Sequence, residues 1–325
     1  MTVLRRQFLS MSAGAVTTSL APWPAWSQGY PSRPVRIVVG FPAGGPVDIA
    51  ARLIAPRLAE HFGQPFVVEN QPGESGNIAT RSVVKAPPDG YTLLLCGPVN
   101  TINTSLFTDL DFDFTADIAP VVGLYRVPLV VEVNGSAPFR TAAEFLGFAK
   151  ANPGKVKIAY GGNGTPQHVG IELFKSMAGV SLTLVPYLGS APALVELLEG
   201  RVDMMFDPMP SSIGYIKSGK LLPLAVTSPT RSEALANIPA MSEFVPGYEA
   251  GSWFGIGAPR GTPESIIEQL NEATRASIDD PAMRGRLAEL GATAIGGSAA
   301  DFGAFVVHET KRHKAVIQAA NIKIK

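Results

Sequence analysis

The chain holds a single cysteine, Cys96, in 325 residues, which excludes a disulfide within it. Its 27 basic residues (Lys and Arg) balance 27 acidic ones (Asp and Glu), so we expect neither nucleic acid nor an anionic membrane as a partner. The four histidines, at positions 61, 168, 308 and 313, form no cluster with the spacing of metal ligands. We therefore expect no metal and no cofactor.

Sequence motifs for catalysis are missing as well. The nucleophile motif Gly-x-Ser-x-Gly is absent, and so are the P-loop and the dinucleotide fingerprint Gly-x-Gly-x-x-Gly. No pair of carboxylates is marked by the sequence alone as an acid and a base. We therefore predict a binding protein and not an enzyme.

The first 27 residues carry a targeting pattern. Arg5 and Arg6 begin the sequence RRQFL, a modestly apolar stretch follows, and the small-x-small sequence AWS ends at Ser27. This order predicts a twin-arginine signal peptide over residues 1–27 that directs export to the periplasm and is then removed. Because no later stretch is long and apolar enough to span a membrane, we expect no direct membrane insertion.

A glycine-rich stretch, GFPAGGPVD at residues 40–48, separates an apolar run from a segment with helical spacing. The run over residues 35–39 predicts a buried parallel strand, and Ile49, Leu53 and Leu58 predict the buried face of a helix. Such a turn directs free backbone N–H groups and the positive end of a helix dipole towards one point, as anion sites do. The pattern equally fits a tight strand–helix turn that needs glycine only for a positive φ.

Strands and helices alternate along the chain after this turn. Apolar runs at residues 66–69 and 91–96 predict further strands. This alternation predicts a parallel α/β sheet that binds ligands at the carboxyl ends of its strands. After a last strand over residues 253–256, we expect the remainder of the chain to be helical.

The length of the chain is sufficient for two domains with separate cores. An apolar run over residues 121–133 leads from the first domain to the second, and C-terminal helices that return to the first domain would make it discontinuous. We predict domain 1 over residues 28–126 and 251–325 and domain 2 over residues 127–250. The two crossings between them would form a hinge.

The strand–glycine–helix pattern recurs in the second domain. A strand over residues 156–160 leads into GGNGTPQH at 161–168, with Thr165 as N-cap and Pro166 at the first helical position. One such turn in each domain predicts that two helix N-termini converge on one cleft. His168 lies in the first helical turn, where the dipole disfavours its charged form. It either contacts the ligand or makes one hydrogen bond in the domain wall.

Two further polar residues follow strands of the second domain. Ser190 is a candidate N-cap for the helix that begins near residue 190. Asp207 ends a strand over residues 202–206, and it either binds a donor group of the ligand or caps a short helix over residues 210–217. We favour the structural role for Asp207.

Eight short segments resemble the periplasmic solute-binding proteins of tripartite tricarboxylate transporters, the Bug family. They read PAGGxxD (42–48), SGN (75–77), PDGYTL (88–93), GTPQH (164–168), PYLG (186–189), GRVDMMF (200–206), PGYE (246–249) and WFG (253–255). Together they cover nearly the whole mature length. The resemblance implies an α/β, two-lobed periplasmic binding protein fold of type II-like topology, with a hinge and an interdomain ligand cleft.

The resemblance also implies the ligand class and the residues that bind it. Ligands of the family are small carboxylates, namely di- and tricarboxylates, aromatic acids or acidic amino acids, and both glycine turns hold one carboxylate, partly through ordered water. Ten positions match the family's ligand-binding positions: Phe41, Ala43, Gly44, Gly45, Asp48, Asn163, Gly164, Thr165, His168 and Asp207.

Some residues depart from the family pattern or fit it poorly. Leu188 stands where many relatives have lysine, and Arg312-His313 replaces a common Arg-Trp pair, a change expected to alter packing and not ligand choice. Asp48 would repel a carboxylate, so we expect it to orient water, to recognise an amino or hydroxyl group, or to serve the helix dipole alone. Residues 98–100 are a further candidate lining segment.

These patterns predict an exported, monomeric receptor that captures a small carboxylate and delivers it to membrane transporter subunits. Two other functions stay open. One is a ligand-sensing subunit for a membrane signalling kinase. The other is an exported enzyme on the same fold that uses Asp48, His168 or Asp207 as acid–base groups.

Overall fold

The computed structural model describes residues 29–324, so the predicted signal peptide lies outside the described residues. Within them the chain forms ten strands: Val35–Val39 (β1), Phe66–Asn70 (β2), Thr92–Cys96 (β3), Ile118–Val133 (β4), Lys157–Tyr160 (β5), Thr183–Pro186 (β6), Met204–Pro208 (β7), Leu222–Val226 (β8), Gly251–Pro259 (β9) and Thr293–Gly296 (β10). The same residues form eleven α-helices: Pro46–Phe62 (α1), Asn77–Val84 (α2), Pro98–Leu106 (α3), Phe114–Asp117 (α4), Ala142–Ala151 (α5), Pro166–Ala178 (α6), Ser190–Leu198 (α7), Met209–Lys217 (α8), Glu264–Asp279 (α9), Pro281–Glu289 (α10) and Ala299–Ala319 (α11).

The strands form one sheet in which parallel and antiparallel pairs are mixed. Their order is β2-β1-β3-β9-β4-β7-β5-β6, and β8 and β10 pair with β4 outside this path. The outer strands pair in parallel, as the alternation of strands and helices predicts. At the centre, β9 runs antiparallel to both β3 and β4. The α/β class is therefore confirmed, whereas the expectation of a wholly parallel sheet is wrong.

The two largest apolar clusters of the described residues lie in different parts of this sheet. One contains β1, β3, β9 and α9 and is built around residues such as Ile37, Phe254 and Leu270. The other contains β5, β7 and α6 and is built around Phe174 and Phe206. Each core lies within its own lobe of the molecule, as expected for two units that move about a hinge.

The lobes are joined where β4 changes its pairing partner. Residues up to Pro128 pair with β9, and from Leu129 onward β4 pairs with β7. The buried Thr227 links the two crossings, because its Oγ1 accepts a hydrogen bond from the Leu129 amide at 2.8 Å and donates one to the Ala250 carbonyl at 2.7 Å. We propose that the predicted domain boundaries lie at this hinge.

Three local predictions differ from the structure. The C-terminal part is not wholly helical, since Thr293 of β10 pairs with Arg126 of β4. A helix, α3, follows β3 where no helix was predicted. Ser190 is the first residue of α7, and Gly189 is its N-cap. The first difference comes from a contact between segments far apart in sequence, and the last is a shift of one position at a helix end.

The longest described helix, α11, packs the C-terminal segment against α3. His313 is 5% exposed, and its Nδ1 lies 2.9 Å from Oγ1 of Thr101. Burial, assisted by the charge of Arg312 and opposed by that of Glu309, lowers the pKa of His313 to about 4. The departure at position 313 thus acts in packing.

Neither α11 nor any other described helix combines the length and apolar content needed to cross a membrane.

We predict that the neutral state of His313 makes the protein sensitive to mild acid. The unfolded histidine binds a proton below about pH 6.5, whereas the folded one does so only near pH 4, so stability that is present above pH 6.5 is lost as the pH falls towards 4. This difference amounts to about 2 kcal/mol between about pH 7.5 and about pH 5. Urea unfolding at both pH values should show this loss in the wild type and a smaller one in His313→Gln.

The control is His308→Gln, on an exposed position of the same helix. It should lose as much stability in acid as the wild type does. An equal loss in His313→Gln would contradict the prediction.

Candidate ligand-binding cleft

A cavity lies between the lobes where the two predicted glycine turns meet. It leaves about 40 Å³ for the centres of water-sized molecules, and one water needs about 10–15 Å³. The described residues that line it carry no charged side chain: Phe41, Pro46, Val47, Gly97, Pro98, Val99, Gly161, Thr165, Pro166, Gln167, Gly189, Ser190, Pro208, Ser252 and Phe254. The cavity therefore takes a small group, and a bulky ligand requires the lobes to part.

Five helices begin at this cavity. The first residues of α1, α3, α6 and α7 line it, namely Pro46, Pro98, Pro166 and Ser190, and so does Pro208, which precedes α8. Each helix start leaves N–H groups without an intrahelical partner and carries a partial positive charge. Proline at the first position costs little, because its missing N–H would have no intrahelical partner in any case. The backbone alone thus makes the cavity attractive to an anion.

The two glycine turns match each other position by position, as GGPVD (44–48) and GTPQH (164–168). Gly44 and Gly164 have φ values of 82° and 74°, a region that favours glycine. The Gly44 amide donates a hydrogen bond to Oδ2 of Asp48 at 2.9 Å, and the Gly164 amide donates one to Nδ1 of His168 at 3.3 Å. In both turns the side chain four positions after the glycine holds the loop in shape.

The Asp48 carboxylate is occupied by donors of its own lobe. It is 2% exposed and accepts hydrogen bonds from Nε of Arg52 at 2.9 Å and Nδ2 of Asn70 at 3.0 Å, besides that from Gly44. Burial alone would raise the pKa of Asp48, but these hydrogen bonds outweigh it and lower the pKa below its usual value. Asp48 is therefore ionised and held within the first turn.

His168 is held in the second turn as a neutral side chain. It is 5% exposed and stacks on Tyr160 with ring centroids 5.2 Å apart. Burial lowers the pKa of His168, and acceptance of the Gly164 amide at Nδ1 leaves the proton on Nε2. Thr165 caps α6, because its Oγ1 accepts a hydrogen bond from the His168 amide at 3.3 Å, which confirms the predicted N-cap.

Gln167 joins three elements of the second lobe at the cavity wall. It is 2% exposed, and its Oε1 accepts a hydrogen bond from the Gly161 amide at 2.7 Å. Its Nε2 donates to Oγ of Ser190 at 2.9 Å and to Oδ1 of Asp207 at 2.6 Å. Asp207 is fully buried and lies behind Gln167, outside the lining. It is in hydrogen-bond contact with hydroxyl groups of α8, and it does not cap that helix by accepting a backbone N–H.

The ten predicted ligand-binding residues fall into three groups. Phe41 and Thr165 line the cavity. Asp48, His168 and Asp207 lie outside the lining and make hydrogen bonds within their own lobes. The others belong to the two turns but not to the lining: Ala43, Gly44, Gly45, Asn163 and Gly164.

Sequence reasoning missed several lining residues. Val47 and Gln167 each follow the proline that begins a helix, so an alignment of the two turns would have identified them as equivalent positions. Ser252 and Phe254 lie on β9, far along the chain, and no local pattern marks them. Val99 belongs to a segment that was expected to line the cleft, and it does so.

Gly189 lies at a close contact between the second lobe and the first. Its φ is 110°, and a Cβ added there would lie 3.0 Å from Cδ of Pro42 and 3.6 Å from Cδ1 of Phe41. Such a contact with a proline ring is tighter than ordinary van der Waals packing. The absence of a side chain at this position therefore permits the close approach of the lobes.

Known proteins are similar to this chain in both sequence and fold. The family model described as tripartite tricarboxylate transporter family receptor matches residues 50–322. Protein BugT of Bordetella pertussis is 34% identical over 306 residues, which are 93% of this chain and 94% of BugT. The structure of R. palustris Rpa4515 with adipate is 41% identical, with a TM-score of 0.88 over 90% of this chain and 99% of its own. MatC (Rpa3494) from Rhodopseudomonas palustris with bound malate is 31% identical, with a TM-score of 0.84 over 89% of this chain and 100% of its own.

These matches confirm the two-lobed periplasmic binding protein fold predicted from the sequence. They extend over almost all of the described residues and include both glycine turns, except that the family model begins at residue 50. The chain belongs to the receptor family of the tripartite tricarboxylate transporters.

Proposed function

We propose that this protein captures a small carboxylate between its lobes and delivers it to a tripartite tricarboxylate-type membrane transporter. The observation that carries this proposal is the convergence of five helix starts on a cavity with no charged lining residue among those described. A relative with 41% identity holds adipate, and one with 31% identity holds malate. Both molecules are dicarboxylates.

The strength of binding available from the backbone fits this role. A helix N-terminus stabilises an anion by about 0.3–1 kcal/mol, and by up to about 2 kcal/mol when it is partly buried. Hydrogen bonds to a charged group add about 1.5–3 kcal/mol each. Several such contacts exceed the roughly 8 kcal/mol of a micromolar complex, even after part is lost to ordering.

The lining favours a ligand with an apolar chain next to its carboxylate. Phe41, Val47, Val99 and Phe254 contribute apolar side chains to the lining, and Gln167 contributes polar groups. Methylene groups gain about 0.8 kcal/mol each when they are buried against such surfaces. Among di- and tricarboxylates, aromatic acids and acidic amino acids, we therefore propose linear aliphatic dicarboxylates as the preferred class.

The residues of the two turns fall into two groups in this proposal, those that contact the ligand and those that hold the turns in shape. Phe41 and Thr165 contact the ligand directly, together with backbone N–H groups of the turns. Asp48 and His168 act through the glycine amides that they hold, at 2.9 Å and 3.3 Å. The remaining predicted positions shape the turns, and ordered water completes the contacts.

An enzyme on this fold lacks support from the cleft. Asp48 accepts hydrogen bonds from three groups, and the Nδ1 atom of His168 is occupied by the Gly164 amide. Asp207 lies behind Gln167. None of the three offers a free acceptor to a substrate in the cavity, which favours a receptor that returns its ligand unchanged.

We also propose that residues 1–27 direct the protein to the periplasm by the twin-arginine route and that the mature chain is a monomer. The order of the arginine pair, apolar stretch and cleavage sequence supports export.

A sensor function would require a membrane kinase as partner, whereas the transport function requires transporter subunits. Recovery of transporter subunits, and not a kinase, from membranes incubated with the ligand-loaded protein would support the transport role.

We predict that adipate stabilises residues 28–325 against heat. A ligand at 100 times its dissociation constant adds about 2.7 kcal/mol, which corresponds to a rise in melting temperature of several degrees. Malate, citrate, benzoate and glutamate complete the panel. Mass spectrometry of the recovered ligand should show it unchanged.

The same panel includes two controls for the carboxylates of adipate: hexanoate, which carries one carboxylate, and hexane-1,6-diol, which carries none. Only the acids should stabilise the protein if the backbone N–H groups bind a carboxylate. Stabilisation by the diol, or none by any acid after refolding to remove bound ligand, would overturn the proposal.

We predict that Gly189→Ala weakens ligand binding by obstructing lobe closure. The added methyl group would meet Pro42 at 3.0 Å, and overpacking of this kind costs about 1–3 kcal/mol. This corresponds to an increase of about 5- to 150-fold in the dissociation constant of adipate, which calorimetry measures directly.

The matched control is Gly179→Ala, at the end of α6. Gly179 also has a positive φ, 64°, but a Cβ there would meet nothing within 4 Å. Both variants should lose stability through backbone strain, and only Gly189→Ala should lose affinity. Equal affinities in the two variants would contradict the closure model.

A further inference from the structure

Two carboxyl groups are buried side by side behind the cleft. Glu132 on β4 and Asp207 on β7 are both 0% exposed, and their strands pair with Val130 opposite Asp207. Ser212 of α8 bridges them, with its Oγ 2.6 Å from Oε1 of Glu132 and 3.0 Å from Oδ2 of Asp207. A single hydroxyl therefore lies between two groups that would both be anions in water.

The hydrogens available from the serines are too few for the contacts observed. Oγ of Ser211 is in hydrogen-bond contact with Oδ2 of Asp207 and lies 2.8 Å from the Pro208 carbonyl oxygen, while Ser212 makes the two contacts described above. Two hydroxyl hydrogens thus face four oxygen–oxygen contacts. Ionised carboxylates and carbonyl groups only accept hydrogen bonds. A carboxyl proton on Asp207 or Glu132 would supply a donor that the two serines lack.

The surroundings do not compensate a negative charge on either group. Among the described residues of β4, β7, β8, α6, α7 and α8, no lysine, arginine or histidine lies within ion-pair distance of either carboxyl. The charged group that acts on Glu132 is Asp207. Oε2 of Glu132 has no hydrogen-bond partner among the described residues, which would be costly for an ionised oxygen.

The acidity of both groups follows from this environment. Burial, opposed by hydrogen bonds from the serines and Gln167, raises the pKa of Asp207 to about 6. Burial and the neighbouring charge of Asp207 raise the pKa of Glu132 well above its usual value. The pair titrates as a unit, so its protons belong to both carboxyls together.

Gln167 connects this pair to the cleft. Its Nε2 donates to Oδ1 of Asp207 at 2.6 Å, and the same side chain lines the cavity and accepts the Gly161 amide at 2.7 Å. An anion in the cavity therefore lies one side chain away from Asp207. In a buried site, a second negative charge at this separation favours the protonated form of the carboxyl.

We propose that Glu132 and Asp207 retain at least one carboxyl proton at neutral pH and that capture of an anionic ligand draws a further fraction of a proton onto the pair. The second half of this proposal rests on the proposed function. The proton comes from solvent and remains on a carboxyl oxygen, and no other bond changes. By linkage, affinity for the anion falls as the pH rises through the titration of the pair.

Infrared spectroscopy of the ligand-free protein tests the first half. Wild-type protein at pH 7 should show the C=O stretch of a protonated carboxyl, shifted in D₂O. Glu132→Gln or Asp207→Asn should remove or move this band, and the exposed Glu268→Gln should leave it unchanged. A wild-type spectrum without the band, or one that neither variant alters, would overturn the shared proton.

Calorimetry with adipate tests the second half. Titrations at pH 7 in phosphate and in Tris, whose ionisation heats differ, should reveal net proton uptake, and affinity should fall by at most tenfold per pH unit between pH 6 and 8. In Asp207→Asn both effects should shrink, while Asp109→Asn, an exposed control, should match the wild type. A pH-independent affinity in the wild type would overturn the coupling.

The two halves fail separately from the proposed function. If no carboxylate binds at any pH, the proposed function and the coupling are both wrong, and the infrared band still decides whether the pair holds a proton. If adipate binds without proton uptake, the receptor function stands and the coupling alone is wrong.

Discussion

An anion that is held without a charged side chain needs several helix starts at one point, and this constraint organises the fold. One helix start contributes only about 0.3–1 kcal/mol. Each of the five helices that begin at the cavity directly follows a strand: α1 follows β1, α3 follows β3, α6 follows β5, α7 follows β6 and α8 follows β7. Because the strands that precede these helices pair in parallel within each lobe, β1 with β3 and β5 with β6 and β7, their carboxyl ends meet at the cleft. The sheet order thus assembles the proposed binding site.

The same constraint explains why the ionisable side chains of the turns lie outside the cavity lining. A carboxylate at position 48 aimed into the cleft would repel an anionic ligand, and a charged histidine at position 168 would face the positive end of α6. Instead, each side chain bonds the amide of a glycine four positions earlier. Asp48 remains ionised and His168 neutral, which are the states that each helix start favours.

Local signals in the sequence predicted the parts of the site that local geometry determines. Glycine, proline and threonine at fixed spacing marked both turns and the cap at Thr165, since these residues act on their own backbone. Gln167 was missed because its partners, Ser190 and Asp207, are 23 and 40 residues away. The antiparallel pairing of β9 and β10 with β4 also depends on distant contacts, which periodicity does not report.

Because the helix starts are divided between the lobes, binding of the ligand would favour the closed state over the open one. The first lobe supplies α1 and α3, and the second supplies α6, α7 and α8, so an open receptor offers an anion only part of the site. A shift from one closed molecule in a hundred to ninety-nine requires a preference of about 5.5 kcal/mol for the closed state. Three further helix starts contribute at most about 2 kcal/mol each when partly buried, so together they reach this difference only at the upper end of that range. In the proposed function, the backbone that recognises the anion therefore also favours closure of the cleft, without a cationic side chain whose own desolvation would oppose closure.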